Sequence, residues 1–384
     1  MMEIIEGSHA VAEIVRLCRP QVVSAYPITP QTHIVEALAD FVANGTLDAE
    51  YITVENELSA LSACVGASAA GSRTYSATTS QGLMLMAEVV FNASGMRLPI
   101  IMSIANRAMG APLSIWNDQQ DSVSLRDAGW LQFYAEDNQE AADLHMIAYR
   151  VAEDPTIQLP AFVCFDGFIL SHTYEPVDML TQEDVDKYLP KFNPAERLDA
   201  ADPISFGMYA TPEYYLEFRY EMDLALKQAK GVIAKAGKEF GEMFGRDYSA
   251  LIEGYKLDDA ETAIVAMGSI CGTTKDAIDE MRAAGKKVGL LKIRVFRPFP
   301  SEEIAKMLSH VKRVAVLDKN ISLGAKGATA MEVRDALYGS SIPVKGYVLG
   351  LGGRDVRKRD IRQIVELCEK GQGDIFYGLR KELI

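Results

Sequence analysis

Along the first 167 positions the apolar residues switch repeatedly between a period of two and a period near 3.6. Short β-rich runs predict strands at 21–25, 51–54, 73–77, 98–105, 132–134 and 160–168, and helical spacing predicts helices at 7–17, 30–44, 58–70, 83–93 and 141–152. Strand and helix in alternation are the signature of an open parallel sheet covered on both faces. From His172 to Glu261 the rhythm breaks, with Pro176, Pro190, Pro194, Pro203 and Pro212, several acidic clusters and a long helical stretch from Pro212 to about Phe244. That segment reads as a connector, packed on the first domain or on a partner subunit, or folded as a helical hairpin. Alternation resumes with strands at 262–268, 287–293, 313–317 and 344–349 and a helix at 274–284, which makes a second, smaller α/β domain. The resulting division is 1–170, 171–258 and 259–384.

The ends of the predicted strands carry the polar residues. After Val22-Val23 come Tyr26-Pro27-Ile28-Thr29-Pro30, in which Thr29 is placed as a helix N-cap and Pro30 at the first helical position. That arrangement would aim free N–H groups and the positive end of a helix at a small carboxylate or phosphate. Glu57 follows the second strand and opens a helix of small residues, Ser59 to Ala70, that allows close approach of a backbone or a flat ligand. Thr78-Thr79-Ser80-Gln81-Gly82 follows the third strand and Asn106-Arg107 the fourth, at the strand ends where open α/β sheets bind ligands.

Composition narrows the function. With 48% hydrophobic and 24% charged residues in a chain of 384, the protein is an ordinary globular one. A net charge of −14 argues against nucleic acid or an anionic membrane as partner. No apolar run is long enough to span a bilayer and Glu3 and Glu6 stand where a targeting segment would be basic, so a cytoplasmic location is expected. Cys18, Cys64, Cys164, Cys271 and Cys368 lie singly, which supports neither a disulfide framework nor a local zinc or iron–sulfur site. The histidines His9, His33, His145, His172 and His310 show no metal-ligand spacing, and no metal site is expected on this chain. The glycine turns at 324–327 and 350–353 fit neither a dinucleotide fingerprint nor a P-loop, which argues against a nicotinamide-dependent dehydrogenase. Asp166 and Gly167 lack the downstream Asn of a magnesium–diphosphate site.

Taken in order, Tyr26 to Pro30, Glu57 with its small-residue helix, Thr79-Ser80-Gln81-Gly82 and Arg107 resemble the α subunits of the 2-oxoacid:ferredoxin oxidoreductases, the pyruvate enzymes in particular. The similarity continues through Asn117 to Asp121, Arg294 to Pro300 and Leu317 to Asn320, nearly the whole chain. It implies a thiamin-binding doubly wound α/β domain followed by an α/β domain of transketolase C-terminal type. It further implies Glu57 as the carboxylate on N1′ of the thiamin diphosphate aminopyrimidine. Thr29 and Arg107 would hold the 2-oxoacid, and Tyr26, Pro27, Ile28, Thr79, Ser80 and Gln81 would line the coenzyme. Mg2+ and the diphosphate would be held by a β subunit that also carries a [4Fe–4S] cluster, with γ and ferredoxin-like δ subunits completing a dimer of heteromers. The implied reaction converts pyruvate and CoA to acetyl-CoA, CO2 and reduced ferredoxin. Oxalate or 2-oxobutyrate as substrate, and a purely structural subunit, are the alternatives.

Overall fold

In the computed structural model, which describes residues 2–384, strands β1 (Met2–Glu6), β2 (Val22–Ser24), β3 (Glu50–Ile52), β4 (Thr74–Thr78), β5 (Ile101–Asn106), β6 (Leu131–Tyr134) and β7 (Ala161–Asp166) come first. Between them lie helices α1 (Gly7–Leu17), α2 (Thr32–Ala43), α3 (Glu57–Ala69), α4 (Ser80–Leu85), α5 (Ala87–Gly95), α6 (Gln120–Ser124) and α7 (Asn138–Ala152). The middle of the chain holds β8 (Tyr174–Asp178), α8 (Gln182–Tyr188) and α9 (Tyr215–Phe244). The last third holds β9 (Ile252–Tyr255), β10 (Thr262–Ala266), α10 (Ile270–Ala283), β11 (Val288–Ile293), β12 (Val295–Arg297) and α11 (Ser301–Met307). It closes with β13 (Arg313–Asp318), α12 (Ala328–Ala336), β14 (Val344–Val348), α13 (Lys358–Glu369) and β15 (Ile375–Phe376).

Strands β2 to β7 form a parallel sheet in the order β6-β7-β5-β4-β2-β3. Its outer edge at β6 is covered by β12, which comes from the last third of the chain and runs antiparallel, with Val295 opposite Phe133. A second sheet, β15-β14-β13-β10-β11-β9, is parallel except for β9. Alternation within single strands sets the layers. Ala161, Val163 and Phe165 of β7 enter one core with α1, α2 and α7, while Phe162 and Cys164 enter another with α3 and α5. This second core is shared between the sheets: Val265 and Leu291 reach it from β10 and β11, and Phe296 of β12 meets Tyr134 edge-on at 5.9 Å. Ile264 and Ala266 turn the opposite way, onto α10 and α13.

The long helix α9 lies on the first sheet's helical layer, with Ala225, Ala229, Ile233, Ala236 and Phe240 buried along one face. It ends at Gly245, whose φ of 76° lets the chain leave the helix in the left-handed region. Five strands carry no signal in the periodicity: β1 with its antiparallel partner β8, β9, β12 and β15. All are short or lie at sheet edges. The predicted helix over 83–93 is broken into α4 and α5, and Thr79 takes the N-cap position of α4.

Candidate active site

The carboxyl ends of β2, β3, β4, β5 and β7, neighbours across the first sheet, carry the candidate residues. The loop after β2 differs from the sequence expectation. Thr29 is not the cap of α2; the helix starts at Thr32, and Gln31 precedes it without a side-chain cap. The reason is Gln31, whose Nε2 donates to the carbonyls of Tyr26 (2.8 Å) and Ala77 (3.2 Å) and so folds the loop back onto β4. Tyr26, Pro27 and Thr29 are exposed at the rim and Ile28 is half-buried.

Glu57 is the first residue of α3, where the side chain of Asn56 accepts from Ser59 N at 2.9 Å and caps the helix. Its side chain is only 8% exposed. Among the described residues its carboxylate has no hydrogen-bond or ion-pair partner. It lies against Gly82, where a Cβ would fall 2.7 Å from Glu57 Oε1 and 2.5 Å from Thr78 Oγ1. Thr78 Oγ1 is itself buried without a partner. Two polar groups thus meet at a glycine with nothing among the described residues to satisfy either, a costly arrangement unless another molecule supplies the bond. A ring nitrogen able to share a proton with the carboxylate fits this position, so the residues present suit an aminopyrimidine.

Arg107 is 6% exposed. Its Nη1 donates to Thr29 O at 2.8 Å and its Nε to Ser114 O at 3.2 Å, so Thr29 and Arg107 are brought together through the threonine carbonyl. No carboxylate pairs with this guanidinium among the described residues, and burial lowers its pKa from the ordinary value, with Asp121 opposing. A buried cation held only by carbonyl oxygens is suited to an incoming anion.

Asp121, which periodicity does not single out, organises the strand ends. Fully buried, it accepts from Ser80 N (3.0 Å), Arg107 N (3.0 Å), Ser122 N (2.8 Å) and Asn106 Nδ2 (2.7 Å). Burial pushes its carboxyl up, and these donors work against that. The hydroxyls of Thr79 and Ser80 are committed to backbone carbonyls, those of Ala105 (2.6 Å) and Ala108 (2.5 Å). These two residues therefore shape the turn that sets Gly82 against Glu57. Gln81 Nε2 lies over Gly110, where a Cβ would stand 2.3 Å from it.

Asp166 at the end of β7 joins the two sheets. Burial opposes its charge, but Lys319 at 2.8 Å outweighs that and holds the carboxyl below its ordinary value, with Ser269 Oγ as a further donor. Asn117 accepts from the same lysine, and a cleft of about 430 Å3 opens beside these residues, lined by Trp116, Phe168 and Gly350 among others. The five cysteines are free and buried. Two of the histidines that show no ligand spacing in sequence, His33 and His172, are brought beside Glu6 by the fold. No helix is long and apolar enough to cross a membrane.

Residues 13–238 match the family described as pyruvate flavodoxin/ferredoxin oxidoreductase, thiamine diphosphate-binding, and residues 260–361 match pyruvate:ferredoxin oxidoreductase core domain II. The chain is 53% identical over 373 residues to pyruvate synthase subunit PorA of Methanosarcina barkeri, covering 96% of this chain and 93% of that protein. It is 52% identical over 383 residues to PorA of Methanothermobacter thermautotrophicus, covering 100% and 99%. Ketoisovalerate oxidoreductase subunit VorA of Pyrococcus horikoshii is 50% identical over 371 residues, covering 96% and 94%. Among solved structures, the 2-oxoglutarate:ferredoxin oxidoreductase of Magnetococcus marinus superposes with a TM-score of 0.73 at 19% identity. That match covers 95% of this chain and 65% of the other. A split-gene transketolase superposes at 0.56 and 12% identity, covering 95% and 96%. With its thiamin-type sheet, its second α/β unit and both family matches in chain order, the chain belongs to the pyruvate:ferredoxin oxidoreductase family.

Proposed function

We propose that this chain is the α subunit of a pyruvate:ferredoxin oxidoreductase, contributing the aminopyrimidine half of a thiamin diphosphate site to the conversion of pyruvate and CoA into acetyl-CoA, CO2 and reduced ferredoxin. The observation that carries this reading is Glu57, a buried carboxylate against Gly82 with no partner in its own chain among the described residues. When bound, the coenzyme supplies the electron sink for decarboxylation of a 2-oxoacid. Glu57 would hold and share the proton at N1′ of its pyrimidine. Arg107 pairs the substrate carboxylate and orients it until CO2 leaves, and the Thr29 carbonyl fixes the guanidinium from behind. Tyr26, Pro27 and Ile28 form the rim, and the turn of Thr79, Ser80 and Gln81 backs the site.

The rest of the chemistry is assigned to partners. A β subunit is proposed to hold the diphosphate, Mg2+ and a [4Fe–4S] cluster, with γ and ferredoxin-like δ subunits in a dimer of heteromers in the cytoplasm. Single buried cysteines offer this chain no set of cluster ligands. Ahead of α9 and along its outer face, Met208, Tyr209, Tyr214, Tyr215, Leu216 and Tyr220 are all more than half exposed, an apolar surface suited to another subunit. Reduction of a viologen dye with pyruvate and CoA tests the division of labour: the isolated chain is expected to be inactive and the reconstituted complex active, and turnover by the chain alone would overturn it.

A second substrate reading is favoured by the VorA relative, at 50% identity against 53% for PorA. Branched 2-oxoacids would use the same Arg107 clamp, and kcat/KM for pyruvate against 3-methyl-2-oxobutanoate decides between the two.

A further inference from the structure

Folding brings three metal-binding side chains from distant parts of the chain to one point: Glu6 at the end of β1, His33 in the first turn of α2 and His172 between β7 and β8. Their donor atoms all lie within 4.8 Å of one another. Glu6 Oε1 is 2.6 Å from His33 Nδ1, and the His33 and His172 ring centroids are 4.7 Å apart. Glu6 is buried while both imidazoles are partly open, so solvent reaches the cluster from the histidine side.

The backbone beneath is closely fixed. β1 and β8 pair with Glu6 opposite Tyr174, and Ser8 donates to Ser171 O through both its N–H (3.0 Å) and its hydroxyl (2.8 Å). A Cβ on Gly7 would fall 2.3 Å from Leu170 O. Ser171 Oγ meets His172 Nδ1 at 2.7 Å, which orients the ring and leaves Nε2 as the nitrogen available for ligation, the kind of outer support metal-binding imidazoles use.

We propose that Glu6, His33 and His172 bind one divalent transition-metal ion of the zinc, cobalt or ferrous class. Two imidazoles and a carboxylate suit these ions, whereas magnesium and calcium prefer oxygen donors throughout. Bonds of about 2.1 Å separate tetrahedral donors by about 3.4 Å, inside the 4.8 Å within which the three donors already lie. A plain Glu6–His33 hydrogen bond accounts for the shortest contact, and packing on Phe168 at 4.7 Å for the second ring, but neither accounts for a third donor atom converging on the same point.

The position gives the ion something to hold. Pro30, three residues before His33, is wedged against Gly167, where a Cβ would fall 2.6 Å from Pro30 Cγ. Thr29, immediately before it, carries the carbonyl that receives Arg107. An ion across Glu6, His33 and His172 therefore ties this loop to the β7–β8 connection.

Zinc is the probe. The assembled complex, its His33→Gln and His172→Gln forms, and the isosteric Glu6→Gln are each equilibrated with Zn2+, passed free of loose ion and assayed for metal by mass spectrometry. The wild type is expected to retain one more zinc per copy of this chain than each variant. Its melting temperature rises on adding zinc and that of His33→Gln does not. Equal zinc content in all four proteins, or an equal thermal response in wild type and His33→Gln, would overturn the site.

Discussion

Glu57 is a buried carboxyl group with no partner among the described residues, and that sets apart what it does for stability from what it does for chemistry. Replacing it by Gln removes a buried carboxylate that has no partner to lose among the described residues. Thermal unfolding of Glu57→Gln without coenzyme should therefore match or exceed the wild-type temperature, while turnover of the complex falls by about 10²- to 10⁴-fold, the usual scale of a lost proton-transfer group. A parallel loss of both would mean that Glu57 is structural. Arg107→Ala removes a charge-assisted contact of about 1.5–3 kcal/mol, so KM for pyruvate should rise on the order of ten- to a hundred-fold. Titration with thiamin diphosphate should show little change, since the atoms nearest a Cβ at Gly82 belong to Thr78 and Glu57 and not to Arg107. At this scale the sequence is partly legible. Glu57 and Arg107 stand in short motifs at strand ends, and their placement there, buried, is what the motifs convey. Thr29 reads wrongly as a cap because the contact that decides the loop, Gln31 Nε2 to Ala77 O, joins residues 46 positions apart. Asp121 stands in the Asn117 to Asp121 stretch, but its role there is not legible for the same reason: its donors come from β5, the residue after it, α4 and α6, and no spacing encodes that meeting.

Between elements, the largest electrostatic commitment is the cluster that clamps α7 to β11 and the residue after it. Glu140 receives Lys292 Nζ at 2.9 Å and Arg294 Nε at 2.6 Å, and Glu253 of β9 takes Arg294 Nη2 at 2.7 Å. Burial works against ionisation of Glu140, but the two cations outweigh it and bring its pKa from 4.5 to about 2. A carboxyl depressed in the folded state contributes stability that is complete above the unfolded pKa and is lost as pH falls through the folded one. Glu140→Gln should cost roughly 3 kcal/mol in urea unfolding at neutral pH, since every tenfold gain in acidity on folding is worth about 1.36 kcal/mol. The difference from wild type should hold down to about pH 5, shrink below 4.5 and vanish near pH 2. A difference independent of pH would assign the effect to packing. Arg294 stands in the sequence motif Arg294 to Pro300, yet Glu140 lies in a helix that reads only as amphipathic. The pairing crosses from the first sheet's helices to the second sheet, and amphipathicity cannot report which cation a buried acid will meet.

Over the whole molecule, the alternation of strand and helix conveys both α/β units because their central strands are continuous apolar runs. What it does not convey is how the units are joined. The pairing of β6 with β12 links segments more than 160 residues apart, and a short edge strand has too few positions to show a period of two. Lys319 and Asp166 add a buried ion pair across the same boundary, again between distant positions.

The placement of β12 limits how this polypeptide could be divided. A gene cut ahead of β9 would yield an amino-terminal product whose β6 margin stands bare and a carboxy-terminal product carrying the one ribbon that fits it. Each would be a sticky fragment by itself, and the natural remedy for both would be the other. Fission of this chain into two genes would thus be tolerated only where the products are made together, and a fusion to a neighbouring subunit would have to leave that ribbon free to reach home.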